Sequence, residues 1–120
     1  MSIQDQIKSA IAAHGMWKAR LTSAIDSGSS DVSPATIQLD DHCEFGKWLH
    51  YGEAAKFKDS PHYTRCLALH RQFHLVAAKV LMLALSGKKE QAARSMGPMG
   101  DWTNASADLT KAMMEWRSLA

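Results

Sequence analysis

The sequence predicts an all-α fold, an antiparallel four-helix bundle with a short additional helix. Apolar residues recur at helical spacing through four segments, and no stretch alternates like a strand for more than a few residues. The amphipathic segments are joined by short connections, which favours packing between sequence neighbours. With 120 residues, the chain is expected to form one domain over residues 1–120, with one core and no room for a second.

The first helix opens at Ser2, where Asp5 three residues on makes a variant of the capping box. Its inward stripe reads Ile3, Ile7, Ile11, His14, Trp17, Leu21 and Ile25, and Gly28 closes it. Residues 29–39, rich in Ser and Thr and containing Pro34, read as a loop. Asp40 or Asp41 then caps a short helix that ends at Gly52. Ser60-Pro61 starts the longest helix with proline in the first turn; its stripe is Tyr63, Leu67, His70, Phe73, His74, Ala77, Leu81 and Ala84, and it runs to Gly87. A helical piece near residues 88–96 precedes the turn Met96-Gly97-Pro98-Met99-Gly100. The last helix follows from about Asp101, with Trp102, Ala105, Leu109, Met113 and Trp116 on one face.

Composition narrows the function classes. The net charge is only +2, Lys and Arg are scattered, and the densest basic spot, Lys88-Lys89, is followed at once by Glu90. No nucleic-acid partner is expected. The most apolar stretch, Leu75 to Leu85, is short and interrupted by Lys79, so no bilayer-spanning run is expected. The first residues have neither the basic nor the apolar region of a secretory signal, which makes the cytoplasm the expected compartment and a membrane an unexpected partner. The cysteines are Cys43 and Cys66, too few for a disulfide scaffold, and metal binding or burial accounts for them better in a reducing compartment.

The chemistry lies in His14, His70 and His74, which occupy stripe positions where leucine would be expected. Buried polar groups need partners. His70 and His74 are four residues apart, so both project from one helical face and can hold one metal ion. Packing brings His14, near mid-helix, to the same depth. Cys43 is expected in the first turn of the short helix, where the positive end of the helix dipole favours a thiolate. Each of these residues alone also fits ordinary core packing. Together they make three imidazoles and one thiolate, the tetrahedral donor set that zinc prefers.

These residues also carry a resemblance. His14-Gly15-Met16-Trp17, Cys43-Glu44-Phe45-Gly46-Lys47-Trp48 and His70-Arg71-Gln72-Phe73-His74 follow one another with residues 18–42 and 49–69 between them. The arrangement resembles the chemoreceptor zinc-binding domain of bacterial signalling proteins. That family pattern is a His with an aromatic three residues later, then Cys-x-apolar-Gly-x-aromatic, then His-x-x-x-His. The resemblance implies that His14, Cys43, His70 and His74 bind Zn2+. It also implies a domain that senses zinc or oxidants for a chemoreceptor or a diguanylate cyclase and forms a homodimer. Most family members are fused to an output domain, so this chain either acts on a partner in trans or is an excised piece. Gly46 would permit close approach of a neighbouring helix, and Trp17, Phe45 and Trp48 would form an apolar collar around the ion or simply pack in the core.

The remaining histidines, His42, His50 and His62, are expected at the surface, and Cys66, on the same face as His70 and His74, is expected in the core. Four protein ligands close a zinc site to water and substrate, no His-Glu-x-x-His is present, and Glu44 points away from Cys43 by helical geometry. The expected role is therefore regulatory, with Cys43 open to oxidation, and not enzymatic. The competing readings are a hemerythrin-like di-iron oxygen carrier, which would need bridging carboxylates and no thiolate, and a structural domain whose zinc only holds the fold. Met113, Met114, Trp116 and Leu119 exceed one inward stripe and add a weak argument for a homodimer.

Overall fold

The computed structural model describes residues 2–30, 33–39 and 43–119. Among them are six α-helices and one 3-10 helix, and no strand: α1 (Ile3–Ser27), α2 (Pro34–Ile37), α3 (Glu44–Tyr51), a 3-10 turn (Glu53–Phe57), α4 (Pro61–Leu85), α5 (Lys89–Ser95) and α6 (Asp101–Leu119). The helical-bundle expectation holds.

Local signals set the ends. Ser2 caps α1 by accepting the Asp5 N–H at 3.1 Å, and Gly28 closes it in the left-handed region at φ 72, a conformation that costs a residue without Cβ nothing. Ser60 caps α4 ahead of Pro61 by accepting the His62 N–H at 3.2 Å. The stretch expected to be only a loop contains α2, started by Ser33, whose hydroxyl accepts the Thr36 N–H, followed by Pro34 at the first turn. That Ser-Pro signature is the same one that opens α4.

Burial follows the stripes. Ile7, His14, Trp17, Leu21 and Ile25 of α1 face Tyr63, His70, Phe73, His74, Ala77 and Leu81 of α4 and Leu109, Met113 and Trp116 of α6. α4 and α6 run antiparallel, with Trp102 against Phe73 at one end and Trp116 against Tyr63 at the other. α1 and α4 advance in the same direction, since His14 meets Phe73 and Trp17 meets His74. The crossover through α2 and α3 returns the chain to the starting end of α1. α3 is anchored at that end by the Trp48 indole, which donates to Gln6 at 2.9 Å and packs on Trp116, and by the Tyr63 hydroxyl, which donates to the Leu49 carbonyl at 2.9 Å. α5 closes the opposite end, where Lys89 donates to the Asp26 carbonyl at 3.1 Å.

Met113 and Trp116 are buried, at 1% and 3% exposure, in line with their place on the inward face of the last helix, and Met114 is exposed; the Leu119 side chain lies outside the described residues. One expectation needs correction: α4 does reach spanning length, for its 25 residues include a window of mean hydropathy 1.2. The span extends beyond Leu75 to Leu85 because Cys66, Leu67, Ala68, Leu69 and Phe73 add apolar residues in the preceding turns. The burial of that helix is within the chain, where His70 and His74 lie at 1% exposure each.

Candidate metal centre

The centre forms where the start of α3 meets the middle of α4. Cys43 is the N-cap of α3, in extended conformation, and its Sγ accepts the Gly46 N–H at 3.3 Å. The sequence places it within the first turn of a helix capped by Asp40 or Asp41; those two residues lie outside the described residues, and the cap of α3 is the cysteine itself. The change matters chemically. A sulfur at the N-cap takes the place of the usual Ser or Asp oxygen and faces the unpaired N–H groups of the first turn, which stabilise a thiolate.

His70 and His74 reach the same sulfur from one face of α4. The Nε2 atoms lie 3.4 Å and 3.3 Å from Cys43 Sγ, and one donor atom from each of the three residues lies within 4.8 Å of the others. A tetrahedral zinc with ordinary Zn–S and Zn–N bonds separates sulfur from nitrogen by about 3.5 Å. The observed spacing fits that geometry.

The tautomer of His74 strengthens the fit. Its Nδ1 donates to the Ile37 carbonyl oxygen at 2.6 Å, so Nε2 carries a bare lone pair toward the sulfur. Such a second partner is what orients histidine ligands in metal sites. A lone pair facing an electron-rich sulfur is stabilised by a cation between them. His70 lacks the equivalent support, for its buried Nδ1 finds no hydrogen-bond partner among the described residues.

His14 stands beside this cluster and outside it. Its Nε2 lies 3.3 Å from Ser106 Oγ on α6, and its ring sits edge-on to Phe73 at 4.3 Å. It lines the same cavity as Cys43 and His70. Burial, helped by His74, lowers the pKa of His14 to about 4. Burial, with His74, His14 and His50 adding, lowers that of His70 to about 2. Both rings are therefore neutral near pH 7, the form that binds metal.

The collar is partly as expected. Phe45 packs on His70 at 4.5 Å and Trp17 meets His74 edge-on at 5.6 Å, while Trp48 turns away to tie α3 to α1 and α6. Gly46 is buried and supplies the N–H that Cys43 accepts. His50 and His62 are half-buried and outside the cluster; His42 lies outside the described residues. Cys66 is fully buried, as expected, and burial pushes its thiol up to about 12, with Glu115 adding and Arg65 opposing. Sequence reading missed the Ile37 carbonyl and Ser106. The Ser33-Pro34 helix start was a legible hint of the first; Ser106 carried no signal.

A model of the chemoreceptor zinc-binding domain family matches residues 14–81. The chain belongs to that family. The matched span starts at His14 and includes Cys43, His70 and His74, and so takes in every residue of the candidate centre except the α6 contact at Ser106. No curated protein and no solved structure matches the chain. As a chemoreceptor zinc-binding domain with a Cys/His/His cluster, it is a metal-site signalling domain.

Proposed function

We propose that the chain is a non-catalytic regulatory domain of bacterial signalling that binds one Zn2+ through His14, Cys43, His70 and His74. The observation that carries this reading is the convergence of two imidazole Nε2 atoms on Cys43 Sγ at 3.4 Å and 3.3 Å, with the His74 tautomer set by Ile37. Soft sulfur with imidazole nitrogen favours zinc over calcium, magnesium or a carboxylate-bridged iron pair. No carboxylate joins the cluster among the described residues. His14 completes the set from α1, reaching the cavity it shares with Cys43 and His70.

The bound ion supplies charge and crosslinking rather than catalysis. Helix α3 is held by Phe45, Trp48, Leu49 and Cys43, so a change at the sulfur alters how firmly α3 sits on the bundle. Cys43 thereby couples zinc content and oxidant exposure to an output partner, a chemoreceptor or a diguanylate cyclase, with the domain working in the cytoplasm as a homodimer. Metal analysis of the purified protein tests the reading: one zinc per chain and no visible absorbance are expected. Two irons per chain with visible bands, or a protein that binds no metal at micromolar zinc, would overturn it.

A further inference from the structure

Cys43 is half-buried and borders two cavities, of about 360 Å³ and about 130 Å³. The larger also touches His14 and His70, the smaller Ile37 and His74. Arg20 borders both. It is exposed on α1, one turn after Trp17, and its guanidinium carbon lies 4.3 Å from the centre of the Trp17 ring. Trp17 in turn packs edge-on against His74. Among the described residues, no other side chain bordering either cavity is charged.

A stacked guanidinium is held in place without using its N–H donors, which stay available to a planar or small anion. Apolar walls focus the field of a single charge into a cleft. We propose that Arg20 is the anion-receiving group on the approach to Cys43, making access to the sulfur selective for small anionic reagents over neutral ones of equal size. The inference rests on the reading of Cys43 as the reactive atom of the centre, and it adds a specificity residue on α1 that is no metal ligand.

Iodoacetate and iodoacetamide test it, being matched in size and differing in charge. In each case the thiolate sulfur attacks the methylene carbon, an S–C bond forms, the C–I bond breaks, and iodide leaves with the electron pair. Rates of modification at Cys43 are read by mass spectrometry on protein as purified, with metal content measured in parallel. The iodoacetate to iodoacetamide ratio should fall about three- to tenfold in Arg20→Gln at low ionic strength, recover in Arg20→Lys, and converge with wild type at about 0.5 M salt. An unchanged ratio in Arg20→Gln, or a drop that salt does not abolish, would overturn the proposal. Because the ratio is read whatever the metal content, a wild-type protein without zinc would sink the proposed function and leave this inference standing. Circular dichroism confirms that the variants fold, and the ratio in Arg20→Lys decides between charge and shape if Arg20→Gln loses helix.

Discussion

The Nδ1 of His74 lies 2.6 Å from the carbonyl oxygen of Ile37, the last residue of the four-residue helix α2. This contact binds the crossover to the middle of α4 and decides which ring nitrogen of His74 faces Cys43. The site is therefore built from three separate stretches of chain before His14 is counted, and it depends on their packing.

Replacing His14, Cys43, His70 or His74 with Ala is expected to abolish retention of zinc through dialysis, while His50→Ala and His62→Ala keep it. Ser106→Ala should weaken zinc binding about tenfold, the usual effect of removing a partner that orients a ligand. Competition with a chromogenic chelator measures both. Full occupancy in His14→Ala would remove it from the ligand set.

The metal-free protein should lose stability in acid. The folded pKa values of about 4 for His14 and about 2 for His70 lie below the ordinary 6.5, so the unfolded chain takes up these protons first. Stability is complete above about pH 6.5 and falls as pH drops toward the folded values. Urea unfolding in chelator at about pH 7.5 and about pH 5 should differ by roughly 2 kcal/mol for each histidine. Equal stability at the two pH values would show that these rings are not buried neutral.

Stoichiometric hypochlorite or peroxide should release zinc and modify Cys43, not Cys66, whose thiol is fully buried and raised to about 12. Only a thiolate reacts readily, and Cys43 sits at a helix N-terminus where that form is favoured. Zinc release followed by a chromogenic chelator, with mass spectrometry of each cysteine, reads the outcome. Retained zinc, or equally fast release from protein oxidised only at Cys66 or methionine, would end the sensing role of Cys43.

The protein is expected to be a homodimer, and light scattering at micromolar concentration should give about twice the 13.2 kDa of the chain. A species of the chain's own mass would refute it. The expectation stands mainly on the family, with the exposed Met114 of α6 a weak second ground.

The helices and their faces were written in the sequence, because helical period, Ser-Pro starts and terminal glycines act over a few residues. The same local logic placed His14, His70 and His74 on inward stripes. Position within a turn was harder: Cys43 proved to be the cap itself, a choice that turns on which nearby side chain reaches the first free N–H groups. Tertiary packing alone decided the rest. The Ile37 carbonyl against His74 and Ser106 against His14 join residues far apart in sequence, through a backbone group and an unremarkable side chain that no periodicity marks. Periodicity tells a side chain which way to face. Only the docked helices determine what it meets there, and for His74 that is a carbonyl on one side and a sulfur on the other.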